Sequence, residues 1–374
     1  MKLGIACYPT HGGSGVIATE LGLALADRGH EVHFFSYSSP FRLSGFHQQI
    51  FFHEVNVSSY PLFKYPPYAL SLATKMATVA NERGIDIFHV HYAVPHAVSA
   101  ILARQLIASC HPKIITTLHG TDITLVGRDE SYYDIVHYSI EQSDGVTAVS
   151  EFLRRQTQEQ FNIKHPIEVI YNFIDPERCR VKIDSVCRRR FAADEEKLIV
   201  HISNFRPVKR VQDVVAIFKK IRSALPAKLL LIGEGPEHSK ICQLVKSLNL
   251  DKDVIFLGTQ DYPEDILACG DLFLLPSEQE SFGLVALEAM GCGCPVIGAR
   301  SGGLPEVVHH GETGFLFQLG DVEAMAKKAI EILQNDEQLN ILRLNAKKRA
   351  VEKFPSDEII PQYEQYYYKI LQQK

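Results

Sequence analysis

The chain has 374 residues, 46% of them hydrophobic and 22% charged, with a formal net charge of −5. That length exceeds what one core ordinarily holds, so two domains are expected. The scattered Lys and Arg form no basic stripe of the kind a nucleic-acid partner needs, and no apolar run approaches the ~20 residues that span a membrane.

The opening Met1-Lys2-Leu3-Gly4-Ile5-Ala6-Cys7 reads as a short strand. It lacks the long apolar segment and cleavage site of a signal peptide, so a cytoplasmic protein is expected. Eight cysteines, mostly inside apolar runs and without paired metal-ligand spacing, read as reduced core thiols. Neither His89/His91 nor His309/His310 brings a zinc-type partner set, and no bound metal is expected.

Short apolar strands alternate with helical patterns through the first half, at residues 3–7, 32–36, 87–91, 114–118, 145–149 and 168–171. The second half repeats the plan at 198–203, 228–232, 254–257, 272–275, 295–298 and 314–318. This alternation marks parallel sheets wrapped by helices, here two doubly wound α/β domains. The expected division is residues 1–185, residues 186–355 and a last helix over 356–374. That helix carries Tyr363, Tyr366, Tyr367 and Tyr368, bulk that needs somewhere to pack, and is expected to return onto the first domain. Ligands of such sheets sit beyond the carboxyl ends of the strands where strand order reverses, so a cleft between the two domains is the expected site.

In chain order, the first motif is Tyr8-Pro9-Thr10-His11-Gly12-Gly13-Ser14-Gly15, which follows a strand and opens a helix pattern over 16–28. Its glycines permit close backbone approach, and a helix start favours an anion or a hydroxyl group. The spacing is not the dinucleotide fingerprint, and Phe34-Phe35-Ser36-Tyr37 stands where an acidic strand end would, which disfavours a nicotinamide enzyme. Thr116-Thr117-Leu118-His119-Gly120-Thr121-Asp122 clusters polar groups at a strand end. His119 is either a satisfied structural histidine or a cleft residue, and its strand-terminal place favours the cleft, with Tyr92 as its neighbour.

Arg206 and Lys209, in a turn between strand and helix, offer a fork and a point charge suited to a diphosphate, with a solvated basic turn as the alternative. Gly233-Glu234-Gly235-Pro236 and Gly258-Thr259-Gln260-Asp261 end two strands with turns fit to shape a nucleotide-base pocket. Glu280 and Glu288 stand eight positions apart, the first in the turn before a helix and the second about two turns inside it. Phe282, Gly283 and Leu284 turn backbone N–H groups outward at that helix start, an anion site beside two carboxylate acceptors. Two solvated glutamates on an ordinary amphipathic helix are the competing reading.

Together the Gly12–Gly15 loop, His119-Gly120-Thr121, Arg206 with Lys209, and the Glu280/Glu288 pair resemble the retaining glycosyltransferases of family 4, which have the two-Rossmann-domain architecture called GT-B. The similarity runs over essentially the whole chain. The resemblance implies Glu280 on the donor sugar, Glu288 on the ribose, and Phe282, Gly283 and Leu284 contacting diphosphate or sugar through their backbone. It implies Arg206 and Lys209 on the diphosphate and His119 at the reaction centre, so that His119, Arg206, Lys209 and Glu280 form the catalytic set. Gly13, Ser14, Gly233 and Asp261 complete the expected donor-binding set.

Longer stretches, Cys7-Tyr8-Pro9, Pro40-Phe41-Arg42-Leu43, Tyr65-Pro66-Pro67-Tyr68, His89-Val90-His91-Tyr92-Ala93 and Tyr171-Asn172-Phe173-Ile174-Asp175 among them, resemble the branch of the family that serves bacillithiol biosynthesis. That implies UDP-N-acetylglucosamine as donor and a small carboxylic acid, L-malate, as acceptor, held by Ser14, Tyr92, Thr117 and Arg42. No cofactor, nucleic-acid partner or stable membrane association is expected, and a homo-oligomer stays open. The alternatives are a UDP-N-acetylglucosamine epimerase or hydrolase, and a family 4 transferase with another acceptor.

Overall fold

The structure is a computed structural model that describes residues 1–374 except His11, Ser44, 58–61, Phe63, Leu125, 179–187, Lys374 and the side chain of Arg128. It divides into two compact units, Met1–Tyr171 with Glu358–Lys374, and Asn172–Asp357.

The first unit is a seven-stranded parallel sheet in the order β3-β2-β1-β4-β5-β6-β7. Its strands are β1 (Lys2–Ala6), β2 (Glu31–Ser36), β3 (Ile50–Glu54), β4 (Ile87–His91), β5 (Lys113–Leu118), β6 (Gly145–Ala148) and β7 (Ile167–Val169). The second unit is a six-stranded sheet in the order β10-β9-β8-β11-β12-β13. Its strands are β8 (Lys197–Ile202), β9 (Ala227–Ile232), β10 (Val254–Gly258), β11 (Leu272–Leu275), β12 (Val296–Ala299) and β13 (Gly314–Phe317). In each sheet the order reverses once, between β1 and β4 and between β8 and β11, the place beyond whose strand ends such sheets bind ligands.

The strands are near-continuous apolar runs because helices cover both faces. In the second unit Ile199, Leu229, Leu231, Leu272, Leu274 and Ile297 pack with Val214, Phe218, Ile221, Met325 and Ala329 from the helices Val211–Ala224 and Val322–Leu333. Each such buried aliphatic side chain contributes about 1.5–3 kcal/mol. In the first unit Phe88 and Val90 meet Met76, Ala80, Ile101 and Ala103 in the same way.

Strand β3 has no counterpart in the sequence reading. It is an edge strand whose Phe51 and Phe52 stay more than a third exposed, so it lacks the buried apolar run that announces its neighbours. The chain passes between units at Tyr171/Asn172, upstream of the expected boundary at 185, which lies outside the described residues. The physical reason is a backbone tie: the Ile174 N–H bonds the Phe354 carbonyl at 3.0 Å, Ile174 bridges Pro355, and both partners belong to the second unit.

The helix Ser356–Leu371 belongs largely to the first unit. Tyr363, Tyr366 and Tyr367 are buried there, whereas Tyr368 is exposed. Tyr366 Oη accepts the Val146 N–H at 2.9 Å where Gly145 leaves room, since a Cβ on Gly145 would lie 2.8 Å from that oxygen. Glu364 holds Arg28 at 2.6 Å and His30 at 2.7 Å. Cys7, Cys269, Cys292 and Cys294 are buried free thiols, and burial pushes Cys7 and Cys294 up to about 12. Among the described residues no helix is long and apolar enough to cross a membrane.

Candidate active site

In the second unit the turns after β8 and β11, the two strands at the reversal, carry the charged groups. After β8, Arg206 has extended backbone and an exposed side chain, with no ion-pair partner among the described residues. Three residues on, Lys209 Nζ donates to Glu280 Oε1 at 2.7 Å. Glu280 is only 7% exposed, so its carboxylate is held inside the turn after β11. The turn is shaped by glycine: a Cβ on Gly302, at φ +56°, would lie 1.9 Å from the Glu280 carbonyl oxygen, which accepts the Gly303 N–H at 2.7 Å.

Gly283, at φ +96°, then starts the helix Leu284–Gly291, whose first turn has no side-chain cap. The uncapped N–H groups and the dipole leave this end, beside Glu280 and Lys209, suited to an anion. Phe282 is buried and its ring meets Phe354 edge-on at 5.6 Å, and Leu284 is buried too, so only their backbone remains for a ligand. Glu288 lies half-buried in the same helix. Gly233 serves packing as much as any pocket, since a Cβ there would lie 2.0 Å from the Ser203 carbonyl oxygen. Asp261 is exposed in the turn after β10.

In the first unit the helix Gly13–Asp27 also begins without a side-chain cap. Gly13 is exposed, and a Cβ on Gly15 would lie 2.5 Å from the Thr10 carbonyl oxygen, which fixes the tight turn. Tyr92, at the end of β4, takes φ +89° and donates its hydroxyl proton to Ser14 Oγ at 2.7 Å. Its N–H bonds the Thr117 carbonyl at 2.9 Å, and the Thr121 side chain lies beside its hydroxyl. Burial pushes the Tyr92 phenol up to about 12, so it stays a neutral donor.

His119 stacks on His91 with Nε2 2.8 Å from His91 Nδ1, and its ring centroid lies 5.2 Å from that of Tyr92. Burial pushes His119 down to about 3, and His89 and His96 add to the shift. The ring is therefore neutral. Asp122 accepts the N–H groups of Ala93 and Gly120 at 3.0 and 2.9 Å. Burial outweighs these bonds and raises its carboxyl to about 6.

Two expected acceptor residues are placed differently from the rest. The Thr117 side chain is fully buried, its hydroxyl 2.6 Å from both His89 Nε2 and Thr147 Oγ1, so it lies beneath Tyr92 instead of beside a ligand. The Arg42 guanidinium is already engaged, 3.4 Å from Glu20 on the first helix.

Residues 11–178 match the family described as Glycosyltransferase Family 4, and residues 187–349 the one described as Glycosyl transferases group 1. The chain is 52% identical over 373 residues to N-acetyl-alpha-D-glucosaminyl L-malate synthase of Bacillus anthracis, covering 99% of this chain and 97% of that protein. The chain belongs to glycosyltransferase family 4.

The fold of this family 4 glycosyltransferase is shared by sucrose-phosphate synthase from Thermosynechococcus elongatus, with a TM-score of 0.84, 22% identity and 99% of each chain covered. Anabaena HepE, solved in complex with UDP-glucose, matches with a TM-score of 0.82 and 21% identity over 99% of this chain and 100% of that one. Thr121 and Asp122 of the transferase went without a role in the sequence reading. The signal was present in the polar run after His119, but the partners that reveal them, Tyr92 and Ala93, lie on a different strand end.

Proposed function

We propose that this transferase moves N-acetylglucosamine from UDP-N-acetylglucosamine to the hydroxyl of L-malate with retention of configuration. The observation that carries the reading is the 52% identity, across nearly all of both chains, to a protein named for that synthesis. The charged turns of the second unit suit the donor. Lys209, Arg206 and the uncapped helix start at Gly283 take the diphosphate, Glu280 the sugar and Glu288 the ribose, with Gly233 and Asp261 bordering the base. The unit of Met1–Tyr171 and the C-terminal segment takes the acceptor at Ser14, Tyr92 and Thr121, with Gly13 at the loop, Arg42 toward a carboxylate and Thr117 supporting Tyr92 from below.

The neutral His119 ring suits a reaction centre in which no histidine charge is gained or lost. The malate hydroxyl attacks the anomeric carbon on the face from which UDP departs. The bond from C1 to the phosphate oxygen breaks, the bond to the malate oxygen forms, and the hydroxyl proton passes to the leaving phosphate. The negative charge that grows on the diphosphate is stabilised by Arg206, Lys209 and the helix start, preorganised donors being the largest single contribution such a site makes. The test is UDP release from UDP-N-acetylglucosamine with and without L-malate. Release that requires malate supports the reading, and equal release without malate sends it to an epimerase or hydrolase.

A further inference from the structure

The turn that carries Arg206 and Lys209 has a strained residue at its root and a buried histidine beneath it. Phe205 is fully buried at φ +36°, a left-handed conformation that a bulky side chain keeps only where its surroundings impose it. Two hydrogen bonds and two close glycine approaches surround it. The Phe205 carbonyl accepts the Glu237 N–H at 3.0 Å. Gly233 and Gly235 lack the Cβ atoms that would lie 2.0 and 1.9 Å from the carbonyl oxygens of Ser203 and Asn204. Ser203 Oγ accepts the Phe205 N–H at 3.4 Å.

His201 governs the last of these. Its Nδ1 is 2.8 Å from the Leu274 carbonyl oxygen, which can only accept, so Nδ1 carries the ring proton. Nε2 is then an acceptor, and the Ser203 hydroxyl 2.8 Å away must donate to it. With its proton so committed, Ser203 Oγ turns lone pairs toward the Phe205 N–H. The direction of the relay is thereby fixed from β11 to the turn after β8. Burial keeps the ring neutral by pushing it down to about 4; the Leu274 carbonyl opposes that shift and the Lys209 charge adds to it. The same β11 leads into the turn of Glu280, the partner of Lys209, so the relay and the ion pair both tie the turn after β8 to this part of the chain.

We propose that His201 is a positioning residue which, through Ser203, sets the turn from which Arg206 and Lys209 reach the diphosphate of the sugar-nucleotide donor. The proposal rests on the donor-site reading above. Ser203→Ala removes one hydroxyl from a half-buried side chain and leaves the His201 bond to Leu274 in place, and Ser203→Thr restores the hydroxyl.

UDP and uridine are titrated separately into the full-length wild type and both variants. Because uridine has no phosphates, it reads the pocket without the cations. The expected result is a dissociation constant for UDP raised about tenfold in Ser203→Ala, or about 1.4 kcal/mol, an unchanged constant for uridine, and Ser203→Thr within about twofold of wild type. Unchanged UDP binding in Ser203→Ala, or equal weakening of UDP and uridine, overturns the positioning role. A wild type that binds no UDP instead overturns the donor-site reading itself, and the proposal with it. Nitrogen-15 NMR of the histidine rings is the second check. His201 is expected as the Nδ1–H tautomer from pH 5.5 to 8, and an Nε2–H or cationic ring in that range contradicts the relay.

Discussion

Under the proposed function Lys209 does two separable things: it satisfies the buried Glu280 carboxylate and it stabilises the departing diphosphate. At 2.7 Å and an effective dielectric of ~20 the gross attraction is about 6 kcal/mol, most of it offset by desolvating the two charges. Removing one partner is a different matter, because Glu280 is then left charged with 7% of its surface in water. Breaking a fully buried pair costs about 3–5 kcal/mol, and the fifth of the Lys209 side chain that is exposed reduces this to about 2–3 kcal/mol. Lys209→Met is therefore expected to lower unfolding free energy by that amount. Lys209→Met with Glu280→Gln should recover most of it, since no orphan charge remains. Activity should behave otherwise: kcat falls roughly 10²-fold in Lys209→Met and is not recovered in the double variant, because the lost cation acts in the transition state. The chain has no Trp, so stability is followed by far-UV circular dichroism in urea and kcat by UDP release. A double variant that regains kcat along with stability would refute the division of roles, as would Lys209→Met with stability intact.

Tyr92→Phe should raise the malate KM while leaving UDP binding alone. Thr117→Val, which strips a hydroxyl from between His89 and Thr147, should instead cost about 1–3 kcal/mol of stability with malate KM unchanged. Acid should destabilise the fold. His89, near 3, and His96 and His201, near 4, lie below their unfolded value of 6.5, so the unfolded chain binds more protons and each histidine withdraws about 1.4 kcal/mol per pH unit as pH falls below 6.5. Asp122, raised to about 6, acts in the opposite direction but alone, so urea midpoints should fall between pH 6.5 and 5; midpoints that rise there would contradict the neutral assignment. Because the proposed function gives the diphosphate to the cations at Arg206 and Lys209 and to the helix start, activity is expected to persist in excess chelator, and full loss restored only by added divalent metal would overturn that part.

Where the sequence was legible, the signal was local. Buried parallel strands are apolar runs, so β1, β2 and β4 to β13 could be placed, together with the glycine and charged turns at their ends. Glu280 and Lys209 were singled out separately, but the bond between residues on different strand ends was not visible. The same limit hid the tie of Tyr92 to Ser14, the place of Thr117 under the site and the link from Ile174 to Pro355 that draws the unit boundary back to residue 171. Positive φ at Tyr92 and Phe205 was equally hidden, because neither is the glycine that ordinarily signals it; tertiary contacts impose the conformation. Edge strand β3 was missed for want of burial, the property on which the reading of strands relied.

The most direct test of the central claim is proton NMR of the product formed from UDP-N-acetylglucosamine and L-malate. The account predicts an anomeric proton with the small coupling of an α-linkage, correlated through the glycosidic bond to the malate C2 carbon. A β-linked product, free N-acetylglucosamine or an epimerised sugar nucleotide would contradict it.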